Sequence, residues 1–466
     1  MQPLKQDSTR EIIEDFARAI RERKARDVKP ATDVINFRDE KSKRFERSVE
    51  SVPVALLRYR KDNGRIASDV LNYEKLNGPL DEADEIHQQI LHGFLKAKHE
   101  EMTEVLIKSI EHTGQNEPAI ITCDGFLING NRRKMALEAL QERHPGAEKY
   151  KWMKVVVLPG PGDAGGPPTL LEIERLENRY QLQNEGKSEY YGFDRALSMR
   201  RKMGLGFALE EQLRDDPQYA NAGDSELKKA VRECEKEFMH PLACVDRYLD
   251  GLDRSSMYGT ISKGMADKEG RWQAFKDYSV VHQSRLTNTQ WQIEHDVDEE
   301  DLGAIEDAAF KMIRLRDLKG LPKIHQIMRK LPSMCEPKES RKEVICISND
   351  IDSSLPKGEQ LDANGNHLLP DDIDKKWGHK HQSKLIMLTK KALDYVESVN
   401  EKETPLALLD AALRKLTHEG MVVENITISQ NAEARRLAAD IQKLASAIER
   451  QLYDIEKKYK GLSSKK

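Results

Sequence analysis

The chain is poor in aromatic residues, 6% of its 466, and poor in cysteine, with five. Cys123, Cys234, Cys244, Cys335 and Cys346 are odd in number and scattered. With no Cys-x-x-Cys pair and no Cys/His cluster, neither a disulfide framework nor a zinc site organises the fold. Long apolar runs are missing too. None approaches the roughly 18 residues of a membrane span. The start, MQPLKQDSTREIIEDF, lacks the apolar core of a signal peptide. The expectation is a cytoplasmic protein that makes no membrane contact. A surplus of one charge is also absent: the formal net charge is -4. That excludes a uniformly basic nucleic-acid coat and leaves room for a segregated basic patch.

What is present is charge and helical periodicity. Charged residues make up 33% of the chain and the mean hydropathy is -0.72. The length is too great for one typical core and predicts two to four domains. The stretch 118–143, PAIITCDGFLINGNRRKMALEALQER, is the most informative. Its order predicts a strand, an Asp124-Gly125 turn, a return strand over 126–128, a glycine corner and a helix. Arg132, Arg133 and Lys134 fall in the first turn of that helix, where the dipole favours negative charge. An anion held by free N–H groups and guanidinium forks makes sense of them; a solvated basic helix end is the other reading.

Residues 1–48 read as charged helix, with Ile12, Ile13, Phe16, Ala17 and Ile20 as an apolar stripe and a charge run at 24–29. Val52, Val54 and Leu56 alternate as a strand would, and Arg58, Arg60 and Arg65 then surround Asn63-Gly64. Residues 81–99 are rich in acids and histidines, but His87 and His92 are five apart, not at metal-ligand spacing on a helix. A helix over 101–113 stops at Gly114. The run 154–158, KVVVL, predicts a buried strand, and 159–168, PGPGDAGGPP, a loop. Thr169 is the expected N-cap of the next helix, with Leu170, Ile173 and Leu176 on its buried side. Residues 188–254 read as helical, with Tyr190, Phe193, Ala196 and Leu197 on one face. Two short helices around Pro241 suit a helix-turn-helix or an ordinary helical hairpin. Residues 336–380 read as a linker with a strand-like run at 344–347. From 437 to 459, Leu437, Ile441, Leu444, Ile448, Leu452, Ile455 and Tyr459 recur at three and four, a seam for a helix pair.

Read in order, LLRYRKDNGRI, EVLIKSIEHTGQNEPAII, GNRRKMAL, RLENRYQLQ and EGKSEYYGFDRAL resemble the successive boxes of the ParB/sulfiredoxin-like superfamily, over about residues 52–197. The likeness is to the N-terminal, nucleotide-binding domain of ParB-type proteins such as bacterial plasmid-partition factors. It implies an α+β ParB/Srx-like N-terminal domain followed by a mainly α-helical C-terminal half. The division becomes a helical extension at 1–50, the nucleotide-binding domain at 51–187, a helical domain with a helix-turn-helix at 188–335, a linker at 336–380 and a C-terminal helical region at 381–466.

By that resemblance Gly130, Asn131, Arg132 and Arg133 hold phosphates of a nucleoside triphosphate, CTP or ATP, aided by Arg58, Arg60 or Arg65. Glu177 and Asn178 face the triphosphate and Mg²⁺, and Glu177 positions a hydrolytic water. Asn131 stands where the family has an acid, and Gln181 where it has an arginine. Three functions follow. The first is a nucleotide-dependent DNA-binding protein that dimerises through 431–460. The second is an enzyme on the same fold, a metal-dependent phosphohydrolase, nuclease or small-molecule kinase with nucleoside triphosphatase character. The third is a non-catalytic interaction module. Which pathway it serves, whether partition, a mobile element or phage defence, is not written in these residues.

Overall fold

The computed structural model describes residues 9–23, 31–35, 37–38, 45–182, 192–216, 218–219, 221–262, 270–362, 367–417, 421–427 and 429–463. The charge run at 24–29, Tyr190 and the side chains of Gln181 and Tyr459 lie outside them. The protein is mostly helical with small sheets, and its contacts divide it into two units, 1–395 and 396–466. The expected breaks after residues 50, 187, 335 and 380 all fall inside the first unit.

That unit begins with α1 (Glu14–Arg23), whose Ala17 and Ile20 are buried. The described residues between 31 and 48 are not helical as expected: β1 (Thr32–Ile35) pairs antiparallel with β2 (Phe45–Ser48). β-Branched Thr32, Val34 and Ile35 favour the extended backbone. β3 (Glu50–Pro53) ends at a proline, which donates no ladder hydrogen bond. A 3₁₀ turn (Val54–Leu56) therefore replaces the rest of the expected strand. α2 (Ala67–Asn77) follows, then α3 (Glu85–Thr113). Asp84 caps α3 by accepting from two backbone N–H groups, and Gly114 stops it at φ 77°.

β4 (Ala119–Ile121) leads into the Asp124-Gly125 turn. The return segment pairs only at single points, Phe126 with Arg58 and Leu127 with Ile121, because it is shared between two neighbours. α4 (Asn131–Arg143) follows, and β5 (Trp152–Val157) completes a three-stranded sheet of order β3-β5-β4. β5 lies antiparallel to β3 and parallel to β4. Alternation along β4 splits its side chains between two cores. Ala119 and Ile121 join Leu91, Leu95, Leu137 and Leu140 of α3 and α4 on one face. Ile120 joins Ile173 and Leu176 of α5 (Leu170–Leu182) on the other. Thr169 and Glu172 form a reciprocal capping box at the start of α5, as the sequence predicts for Thr169.

α6 (Gly192–Gly204) and α7 (Leu209–Arg214) follow. The expected pair of short helices around Pro241 is one continuous helix: α8 (Asp224–Cys234) runs through a π turn (Glu235–Met239) into α9 (His240–Asp250). The widened turn absorbs the N–H that Pro241 lacks, so the chain does not reverse there and these segments form no helix-turn-helix. Then come α10 (Gly259–Ser262), α11 (Gly270–Val281), α12 (Thr289–His295), α13 (Glu299–Leu315) and α14 (Ile324–Cys335). The expected linker is a second departure. α15 (Lys338–Asp350) buries Val344 and Ile347 completely, so the run at 344–347 is helical, with those two side chains on its inner face. α16 (Pro370–Leu416) places Trp377 and Leu385 in the core of the first unit.

In the second unit, α17 (Asn431–Ser463) carries Leu437, Ile441, Leu444, Ile448, Leu452 and Ile455, each at least 37% exposed. Among the described residues no helix is long and apolar enough to cross a membrane.

Candidate functional site

Gly130 makes the corner from which α4 departs. Its φ is 90°, and a Cβ there would lie 2.6 Å from the Cβ of Ala119. Only glycine meets both conditions without strain. The first backbone bond of α4 runs from the Lys134 N–H to the Gly130 carbonyl, and among the described residues no side chain caps the helix. Its first N–H groups are therefore available to an acceptor.

Arg132 stands in this first turn and is half-buried. Among the described residues it has no carboxylate partner. Burial, then Arg65 and Arg133, push its pKa down to about 10, so the group is charged and faces charges of its own sign. Arg65 belongs to a 3₁₀ turn (Gly64–Ile66) capped by Asn63 Oδ1, which accepts from the Arg65 N–H. Asn131 Oδ1 is buried without a hydrogen-bond partner among the described residues. Arg133 turns to the sheet edge, donating to Pro118 O at 2.8 Å and to Glu117 at 2.7 Å.

The remaining candidates lie elsewhere. Arg58 reaches Glu85 at 2.7 Å and lies 4.2 Å over the Phe16 ring, where it fastens α1 to the body. Arg60 is 2% exposed and sits between Glu174 at 3.1 Å and Glu177 at 3.3 Å. Burial opposes its charge, but Glu177 and Glu174 more than offset that and raise its pKa. Glu177 also accepts from the Gly64 N–H at 3.2 Å. Burial and Glu174 push the Glu177 carboxyl up, against the pull of Arg60. Arg201 closes the cluster, pairing with Glu174 at 2.6 Å and with Asp62 at 3.2 Å. Asn178 faces a different neighbour: its Oδ1 accepts from Lys202 at 2.9 Å and its Nδ2 donates to Gln212 O at 3.0 Å.

The structure thus brings Arg65, Arg132 and Arg133 together at the start of α4, and separately brings Arg60 to Glu177. It does not bring Asn178 to either group of arginines. The expected Mg²⁺ pair does not fit an ion as placed. Glu177 is engaged by Arg60 and Gly64, and Asn178 by a lysine ammonium, and such cations repel a divalent metal. Among the described residues no group of three or more His, Cys, Asp or Glu is placed to hold a metal. Sequence reading missed Glu174, Arg201 and Lys202. Glu174 had a local signal, since it lies three residues before Glu177 on one helix face. Arg201 had none.

No protein family and no curated protein matches this chain. A solved structure of a Pnob8-like ParB-N domain is similar over 65% of this chain and 94% of its own, at 13% identity and a TM-score of 0.22.

Proposed function

We propose that the start of α4 is a phosphate site and that the protein takes a nucleoside triphosphate there. The observation that carries this reading is Arg132, a half-buried guanidinium with no carboxylate partner among the described residues, beside Arg65 at an uncapped helix start. Helix N-termini attract anions, and a phosphate supplies the negative charge this corner lacks. The Mg²⁺ in this reading enters with the phosphates rather than on Glu177 and Asn178.

The test compares inorganic phosphate, CTP and ATP, each with and without Mg²⁺, by thermal shift on the wild type and on Arg132→Ala. A ligand at roughly 100 times its Kd adds about 2.7 kcal/mol of stability. Arg132→Ala is expected to lose that gain. Without ligand it should be at least as stable as the wild type, because a desolvated like charge has been removed. An equal response in the variant, or none in the wild type, removes the phosphate site. Turnover abolished by Glu177→Gln is what the enzyme reading requires.

DNA and a second copy of the chain complete the proposal. Duplex binding that weakens with added salt supports the DNA contact; no shift of any duplex at low salt removes it. The exposed seam on α17 has the 3.5-residue recurrence of a helix pair. Light scattering is expected to show a dimer in which Leu444→Glu halves the mass, whereas a monomeric wild type rules the seam out as an interface.

A further inference from the structure

Between α3 and α4 the facing side chains change character. Leu91, Leu95, Leu137 and Leu140 make an apolar contact. Elsewhere the same two helices turn polar groups toward each other, around a cavity of about 330 Å³. Lys134 lies at this cavity and is only 6% exposed. Its ammonium sits 4.0 Å over the Tyr59 ring and pairs with Glu138. The Tyr59 hydroxyl donates to the other Glu138 oxygen at 2.8 Å. His92 stacks on Tyr59, with ring centroids 5.7 Å apart and planes 14° from parallel. Apolar residues of similar volume would serve stability at least as well as a buried ionic triad. Packing alone therefore does not account for it.

The triad is internally satisfied, but the groups around it are not. Glu142 and the His92 ring nitrogens have no hydrogen-bond or ion-pair partner among the described residues. Gln141 spends its Nε2 on Tyr150 O and keeps its Oε1 uncommitted. The lining is acidic: Glu85, Glu138 and Glu142 against Lys134, with Arg58 answering Glu85 from outside. Burial lowers the His92 pKa, more than Glu138 and Glu142 raise it, so the ring is neutral and offers an acceptor at neutral pH. The unspent capacity is thus acceptor-rich and negative. That disfavours phosphate, and the histidine and carboxylates are not placed to hold a metal. The volume lies at the small end of ligand pockets, which run about 300–1,000 Å³.

We propose that this cavity binds a small protonated amine, whose N–H groups are accepted by the Glu142 carboxylate, the His92 ring and Gln141 Oε1. It is separate from the phosphate site: Arg132 and Lys134 project about 200° apart around α4. The site stands or falls independently of nucleotide binding.

Ethanolamine, glucosamine and spermidine are the probes, with glycerol, glucose and matched sodium chloride as controls, on the full chain with histidine ring resonances followed by NMR. His92→Gln assigns the relevant signal. An amine probe is expected to move the His92 resonance at millimolar concentration while the controls leave it in place. Glu142→Gln, which removes the charge of an exposed carboxylate at the cavity and leaves its size unchanged, is expected to weaken that response about tenfold. No movement with any amine, equal movement with the controls, or wild-type binding in Glu142→Gln overturns the proposal.

Discussion

Asp374→Asn is expected to destabilise the first unit by about 3–5 kcal/mol, the cost of removing one partner from a buried ion pair. Asp374, on α16, is the shared acceptor for Arg254 at 2.8 Å, Arg271 at 3.1 Å and Arg314 at 2.8 Å. All four side chains are buried. The arginines are partly answered by backbone carbonyls: Arg271 donates to Thr260 O and Arg314 O, and Arg314 to Ser353 O. Among the described residues the carboxylate is still the one side-chain anion paired with all three, and asparagine removes its charge. Urea unfolding measures the loss. Asp372→Asn, two residues away on another face of the helix and half-exposed, is the control, expected to change stability by no more than about 0.5 kcal/mol.

The same centre predicts a pH dependence. Burial raises the Asp374 pKa, but Arg271, Arg314 and Arg254 more than offset it, so the folded value lies below the ordinary one. A group with a depressed folded pKa stabilises above its unfolded pKa, about 3.9 for aspartate. Its contribution is lost as pH falls through the lower folded value. The gap between wild type and Asp374→Asn should therefore be full at neutral pH and narrow below about pH 4. A constant gap, or none, would mean that the carboxylate is not what holds the three arginines.

Glu174→Gln carries the second large effect, again about 3–5 kcal/mol. Glu174 is 2% exposed and serves both Arg60 and Arg201, so one substitution leaves two guanidinium groups short of charge. The cluster also holds the 62–66 loop: Arg201 pairs with Asp62, Glu177 accepts from the Gly64 N–H, and that loop presents Arg65 beside Arg132. Phosphate affinity should fall together with stability in Glu174→Gln. Glu177→Gln keeps an acceptor for Gly64 and should cost less in both. If Glu174→Gln unfolds at the wild-type urea concentration, the cluster is not a clamp. If it unfolds early yet binds phosphate unchanged, the loop does not depend on it.

Arg58, Arg60 and Arg65 look alike in sequence, three cations around one glycine turn. Their fates differ because their partners come from different elements. Glu85 takes Arg58, Glu174 and Glu177 take Arg60, and Arg65 lies close enough to Arg132 to lower its pKa. Glu177 and Asn178 are neighbours in the chain, but on a helix adjacent residues project about 100° apart, so they meet separate surroundings.

Local signals governed local outcomes. Gly130 and Gly114 at positive φ, the Thr169–Glu172 capping box and the β-branched strand over Trp152–Val157 depend on backbone sterics and near-neighbour bonds. Nothing in the order of residues could tell the run at 344–347 from a strand, because four β-branched or apolar residues suit either backbone until α13 and α14 bury one face of it. Pro241 likewise reads as a break, and only the π turn before it keeps the helix continuous. The sequence alone determined the stop of α3 at Gly114, the start of α5 at Thr169 and the place of the glycine corner with its two arginines. Tertiary structure decided which charges are cancelled and which are left over, because charge pairing is set by distance in space and the partners lie far apart along the chain.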